Sequence, residues 1–501
     1  MGAVIVEAVR TPVGRKKGGL SGVHPADLSA LVLSELVNRA GLDPVRVDDV
    51  IWGCVGQVGE QANDIARTAV LSAGWPESVP GVTIDRQCGS SQQALNFAVA
   101  GVIAGHYDVV VAGGVESMSR ITIGLGSSIG GNPSGPKFLE RYGVTPNQGI
   151  GAEMIAEKWA LTRADVDAFA VRSHELAAAA QDAGRFDAQI VPVTAADGSV
   201  VSRDEGIRRG TTVETLAKLK TVFKEDGVIH AGNASQISDG AAALLIMSDE
   251  AAAEHGLTPI ARIHTAVVTG ADPVMMLSAP IPATEKVLAK SGLNVGDIGV
   301  FEVNEAFAPV PLAWWKEIGA DFDLLNPNGG AIALGHPLGG SGARILTDMI
   351  NHMRSNDIHY GLQTMCEGGG QANVTIIEQP VPDHRAPDHR HDPGTALVPG
   401  DDHLLSEAGG DGAGPVGHRA RVPPPPAVHR TRIHGDPDRA DPPRNAVEPH
   451  GVVQARSHRP VRSTRWCQRS REIGHVRQCR GVDQRILRGQ SGVRNGPEVG
   501  R

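Results

Sequence analysis

Short apolar runs alternate with helix-period segments through the first 120 residues. Runs at 4–6, 50–52, 82–84 and 109–112 read as strands, and the stretches 27–40 and 90–104 between them read as helices. Continuous apolar strands separated by helices predict a parallel or mixed sheet covered on both faces. From about residue 117 to 237 the pattern changes to a Gly-rich loop (GLGSSIGGNPSGP), an Ala-rich helical stretch over 163–183 and a charged region over 202–224, which reads as an insertion. The alternation returns at 242–247 and continues through 260–263, 285–291, 300–303, 342–353, 362–366 and 373–377. A strand running into a Gly/Ser-rich turn and then a helix occurs twice, at TIDRQCGSSQQALNFAVAGVIAG and at NPNGGAIALGHPLGGSGARILTDMI. Two similar α/β halves with a loop domain between them account for the repeat.

Charge divides the chain near Glu378. Residues 1–378 hold 27 basic and 42 acidic side chains, a balance of −15, while residues 379–501 hold 20 and 14, a balance of +6. All 20 basic residues of the second segment are Arg; it has no Lys, Met, Phe or Tyr, and it has 16 of the 33 Pro. Such a segment cannot supply a core of any size. A disordered extension, a basic nucleic-acid arm and translation in a wrong reading frame all compete to explain it, and the Arg-only, Pro-, Gly- and His-rich composition favours the last. No nucleic-acid partner is therefore expected, and Cys467, His475 and Cys479 read as incidental rather than as a metal site.

Five cysteines without framework spacing point to a reducing compartment. The N-terminus lacks the apolar run of a signal peptide, and no apolar stretch approaches the roughly 18 residues of a membrane span. The expectation is a cytoplasmic protein with no membrane partner.

Cys88 falls at the start of the 90–104 helix, where unpaired amides and the helix dipole favour a thiolate. A buried core thiol is the competing reading. The small residues Gly89, Ser90 and Ser91 shift the balance, because they let a carbonyl approach the sulfur. His336, held between Gly335 and Pro337 in a glycine-dense turn, is a base suited to neutral pH. Cys366 precedes Glu367-Gly368-Gly369-Gly370, a turn that exposes backbone amides. Without clustered Cys/His partners it does not suit zinc, and without Cys-x-x-Cys it does not suit dithiol redox chemistry. An acid/base role remains.

DRQCGSSQQA, GGVESMS, GNASQISDGAAA, NEAF, NGGAIALGHPLGGSGAR and CEGGG occur in this order. Through them residues 1–378 resemble the thiolase family of acetyl-CoA acyltransferases, and most of all its degradative members acting on fatty-acyl or steroid side-chain thioesters. The resemblance implies a five-layer αβαβα fold with an N-terminal half (1–117 plus 238–257), a loop domain (118–237) and a C-terminal half (258–378); the tail (379–501), which matches nothing in that family, is expected to be unstructured from its composition. It implies Cys88 as nucleophile, His336 as its base and Cys366 as the second acid/base. Asn304, with His336, matches one oxyanion hole, and the amides of Cys88 and Gly368 match the other. Arg208, Thr215, Ala231, Ser235, Ala306 and Phe307 match coenzyme A-channel positions, and Gln148 lies in the stretch facing substrate. Arg209, Lys218 and Lys220 either screen the coenzyme phosphates or form a solvated face.

The implied activity is coenzyme A-dependent cleavage of 3-ketoacyl-CoA. Coenzyme A is a co-substrate, no cofactor or metal is held permanently, and the assembly is a homodimer or homotetramer. Biosynthetic acetoacetyl-CoA condensation, a ketoacyl-synthase type of condensation and non-catalytic acyl-CoA or sterol binding are the alternatives. Asp85 and Ser91 depart from common Asn and Gly, which leaves chain length open. The loop domain has no match to the His-bearing segment of biosynthetic members, which favours a larger substrate.

Overall fold

A computed structural model describes residues 2–195 and 197–380, so the tail expected over 379–501 lies almost wholly outside the described residues. The first half is built on β1 (Ala3–Arg10), β2 (Asp49–Gly53), β3 (Val82–Ile84), β4 (Val109–Ser117) and β5 (Ser238–Ser248), which lie side by side in the order β3-β2-β4-β5-β1. β2 is parallel to β3 and β4, and β5 is antiparallel to β4 and β1. The two-residue strand Gly14–Arg15 pairs with the start of β5. The sheet is mixed, as the apolar runs predict.

The second half repeats this plan. β6 (Ala261–Gly270), β7 (Val300–Val303), β8 (Tyr360–Glu367) and β9 (Gln371–Glu378) lie in the order β7-β8-β9-β6, and a lone parallel bridge from Phe301 to Leu325 stands in the outer position that β3 fills in the first half. Val4 and Ile5 pair with Arg262 and Ala261 and join the halves into one ten-stranded sheet, with Gly14–Arg15 off its nine-strand path.

All nine residues of β4 and all eleven of β5 are buried, which explains why these strands read as unbroken apolar runs. Alternate residues serve opposite faces. Val109, Val111 and Val115 pack with Leu245 and Met247 under helix α1 (Pro25–Ala40), whereas Val110 and Ala112 pack with Leu244 and Ile246 on the other face. Each such side chain contributes about 1.5–3 kcal/mol on burial.

Between the two halves lie α2 (Ser90–Ile103) and, from the second half, α3 (Ser341–Ser355), packed on each other. A Cβ on Gly342 would sit 2.5 Å from the Gln92 amide, so the helices meet backbone to backbone. Pro280–Ser291 and Pro309–Ile318 cover the outer face of the second half. The layers therefore run helix, sheet, helices, sheet, helix.

The stretch between β4 and β5 is loops joined by five helices, with Gln148–Lys158 and Arg163–Asp182 its longest elements. The Gly-rich part expected as a loop contains one short helix, Leu125–Gly130, and its last residue opens a second, Pro136–Tyr142. No helix among the described residues is long and apolar enough to cross a membrane.

Candidate active site

The β3–α2 turn presents Cys88, which is buried and packed against Ile345 and Met365. Its local geometry is tightly held. Gln87 adopts φ +48°, the left-handed region, and its amide donates to Asp85 Oδ1 at 2.6 Å; the Ser90 hydroxyl donates to Gln87 O and accepts from the Arg86 amide. The Cys88 and Gly368 amides both point at the Cys88 sulfur. Cys88 nevertheless stays a thiol. Burial pushes it well up, Cys366 and Glu367 push it further, and the two amides only partly offset them. The thiolate expected from the helix dipole is thus not the resting state, because Cys88 precedes the first helical residue by two positions and lies in a dry site.

His336 sits in the turn before α3, where its amide donates to Ser238 Oγ at 3.0 Å. Ser341 Oγ donates to Pro337 O at 2.8 Å and lies 2.6 Å from His336 Nδ1. With its only proton on Pro337 O, Ser341 must accept from Nδ1–H, which assigns the tautomer and leaves Nε2 bare. Burial, with the Arg344 guanidinium behind it, holds His336 down to about 3, so the ring is neutral.

Asn304 follows β7, and its amide donates to Thr364 O at 3.1 Å. Its Nδ2 lies 3.5 Å from His336 Nε2 and 3.8 Å from Cys366 Sγ, so it spans the imidazole and the second thiol. Its Oδ1 is buried without a protein partner. Cys366, on β8, is fully buried and pushed up to about 12 by burial foremost, against the Asn304 donor and the amides of Cys366 and Ala306.

The remaining expected residues fall into two groups. Ser235 and Ala306 are joined by a 2.9 Å backbone hydrogen bond, and Phe307 bridges Ala234 and packs edge-on against Phe223. Phe223 in turn abuts Gly149, next to Gln148 at the start of its helix. Ala231 is exposed beside this group, and the Thr215 hydroxyl donates to Thr212 O within a helix cap. Arg208 and Arg209 line a separate cavity of about 280 Å³ with His174 and Thr211, and the Arg208 amide donates to His174 Nδ1. Among the described residues no group of three or more His, Cys, Asp or Glu is placed to hold a metal ion.

Four supporting residues were not singled out from sequence. Ser341 orients His336. Glu116, within GGVESMS, accepts from the amides of Val55, Gly56 and Gly339 and so ties the His336 turn to the first half. Glu305, within NEAF, accepts from Ser173, Asn326 and Ile332 beside Asn304. Glu367 is buried with both oxygens unpaired against the Gly89 Cα. All four lie in motifs already noticed, whereas partners such as Val55, Gly56, Ser173 and Asn326 do not.

Comparison with known proteins follows the same division. The thiolase N-terminal domain matches residues 3–250 and the thiolase C-terminal domain residues 257–379. A steroid 3-ketoacyl-CoA thiolase of Mycobacterium tuberculosis is 50% identical over 385 residues, covering 75% of this chain and 94% of that protein. A beta-ketoadipyl-CoA thiolase of Escherichia coli is 44% identical over 398 residues, covering 75% and 99%. The crystal structure of the Bacillus anthracis acetyl-CoA acetyltransferase superposes with a TM-score of 0.71 at 41% identity, over 75% of this chain and 98% of that one. Matched in both halves and identical to one such enzyme at half of 385 aligned residues, the chain belongs to the thiolase family of acyltransferases.

Proposed function

We propose that the chain cleaves 3-ketoacyl-CoA thiolytically, yielding acetyl-CoA or propionyl-CoA and a shortened acyl-CoA through a Cys88 thioester. The observation that carries this reading is the placement of Asn304 between His336 Nε2 and Cys366 Sγ, with the Gly368 amide aimed at Cys88. In the first half-reaction the Cys88 proton passes to His336 Nε2 as Sγ attacks the 3-keto carbon. The C2–C3 bond breaks, and the electron pair left on C2 takes the Cys366 proton, releasing the short acyl-CoA. His336 returns its proton to Cys366, then takes the proton of the incoming coenzyme A thiol, whose sulfur attacks the thioester. Cys88 leaves as thiolate and is reprotonated by His336. Both oxyanions form in a water-poor site, where fixed donors act most strongly.

Neutral His336 and protonated Cys88 fit this scheme better than a preformed ion pair, since the proton moves only as the carbonyl arrives. The buried cluster around Ser235, Ala306 and Phe307 supports a coenzyme A channel on that side. We assign the expected domain boundaries, a homodimer or homotetramer and a cytoplasmic setting to the same reading. Relatives named for steroid and for beta-ketoadipyl substrates support a degradative direction. The test is coenzyme A-dependent loss of 3-ketoacyl-CoA absorbance: wild type consumes substrate and Cys88→Ala does not, whereas equal rates would sink the nucleophile assignment.

A further inference from the structure

Glu367 ends β8, one residue after Cys366 and two after Met365. Alternation along a strand puts Cys366 on one face and Met365 with Glu367 on the other. On that second face Met365 packs against Cys88, and the Glu367 carboxyl lies against Gly89, the residue after Cys88. A Cβ on Gly89 would overlap Glu367 Oε1, with Glu367 Cδ and Asn373 Nδ2 both 2.8 Å away, so only glycine leaves room for the carboxyl. Glu367 therefore follows one thiol in sequence and touches the residue beside the other.

The surroundings are not built for a carboxylate. Glu367 is fully buried, neither of its oxygens accepts a hydrogen bond, and among the described residues it is in no ion pair. Arg86, on the Cys88 turn, donates from Nη1 to the neutral Gln371 Oε1 at 2.8 Å, while its Nε is buried and unpaired. Asn373 Nδ2 donates to Gly89 O. A buried carboxylate is costly unless paired and hydrogen-bonded, and here neither the guanidinium nor the carboxamide bonds to it. The charged and titratable groups that face it are Asp85, Arg86 and Cys88 of the turn and Cys366 of its own strand; β9 brings the neutral Gln371 and Asn373. Burial outweighs the Arg86 charge and holds the carboxyl up to about 8.

We propose that Glu367 is a positioning residue that works as the neutral acid: its O–H form fills the space behind the Cys88–Gly89 peptide without charge, and ionisation of this one carboxyl slows the attack of Cys88 on the 3-keto carbon. The assignment rests on the thiolytic reading above. In that cycle negative charge develops on Cys88 as its proton leaves for His336, again as Cys88 departs from the thioester, and on Cys366 once its proton goes to C2. A carboxylate beside both thiols raises the cost of each of these steps. Glu367 loses its proton to solvent and not to substrate, so the stoichiometry of thiolysis is unchanged.

The experiment follows kcat/KM for 3-ketoacyl-CoA from about pH 6 to about pH 10 in wild type and Glu367→Gln, because this constant covers the first half-reaction alone. The ratio of variant to wild type cancels the ionisation of the substrate itself. That ratio is expected to be flat below about pH 7 and to rise roughly tenfold by about pH 9.5, the scale of one unit charge several ångströms away at an effective dielectric of about 20. Glu367→Met, neutral and of similar length, follows the same course and carries the test if glutamine disturbs folding. A ratio independent of pH overturns the assignment whatever its size, since a purely structural role changes the rate equally at every pH. Alkylation of Cys88 by iodoacetamide, followed on its peptide by mass spectrometry with no coenzyme A ester present, separates this from the parent reading. A labelling ratio that rises over the same range keeps the Glu367 assignment even if 3-ketoacyl-CoA is not cleaved. A flat labelling ratio rejects it even if thiolysis is confirmed.

Discussion

The two halves share one strand plan and divide the work unequally. After the second strand the first half places Cys54 and the second half Asn304; after the third position they place Cys88 and His336; at the fourth-to-fifth strand turn they place Glu116 and Cys366. Cys54 and Glu116 are structural. Cys54 is fully buried, is pushed far up by burial and accepts from Gln61 Nε2, while Glu116 braces the His336 turn. The second half braces the first in return: Asn373 Nδ2 donates to Gly89 O, and the Ala343 amide donates to Ser91 Oγ. A duplicated scaffold thus gives two sets of corners; the proposed catalytic set takes one corner of the first half and three of the second, and the Cys88 and His336 turns are each braced by the opposite half.

The sharpest way to break this comparison is to set the two first-half cysteines against each other. Cys88→Ala is expected to lower kcat by about 10⁴-fold or more with little change in Tm, whereas Cys54→Ala leaves kcat within about twofold and costs about 1 kcal/mol of stability. Comparable kcat losses would erase the distinction. Asn304→Ala removes the donor shared by His336 and Cys366, and steady-state assays should show a fall of about 100- to 1000-fold in kcat. Glu116→Ala leaves the half-buried amides of Val55 and Gly56 and the buried amide of Gly339 unpaired. Denaturant titration should report a loss of about 1–3 kcal/mol or more, accompanied by a lower kcat because the His336 turn loosens; lost stability with unchanged kcat would show that the brace does not reach the site.

Glu367 bears on stability, with a defined sign. Burial foremost pushes its carboxyl up to about 8 from an ordinary 4.5, against the pull of the Arg86 charge. Between those values the folded chain keeps a proton that the unfolded chain has released, so this group makes folding less favourable as pH rises. Glu367→Gln should therefore gain on wild type from about pH 4.5 to 8, with a slope approaching 1.4 kcal/mol per pH unit at about mid-window. A pH-independent difference in Tm would place the carboxylate in a wetter site than the geometry indicates.

Much of this was legible in the sequence because the strands buried on both faces are unbroken apolar runs. Residues 109–112 and 242–247 fall within β4 and β5, and the repeated strand–turn–helix pattern marks the turns that hold Cys88 and His336. The six motifs brought both thiols, the imidazole and Asn304 to notice before any contact was known. What stayed hidden depends on pairing across the fold. Glu116 and Gly339 are 223 positions apart, and nothing local to either announces the bond. The protonation of Cys88 was hidden for another reason: helix polarity can be read from a few neighbouring residues, but burial is set by Ile345 and Met365 from the other half. The helix Pro136–Tyr142 was masked by the glycines and prolines around it.

The central claim, that Cys88 alone of three buried thiols carries the acyl group, is tested most directly by trapping. Wild-type protein mixed with 3-ketoacyl-CoA, without free coenzyme A, and digested under acid for peptide mass spectrometry should carry the shortened acyl group on the Cys88 peptide alone, with an equivalent of short acyl-CoA released. The label on Cys366, or turnover on adding coenzyme A without any labelled cysteine, would contradict it.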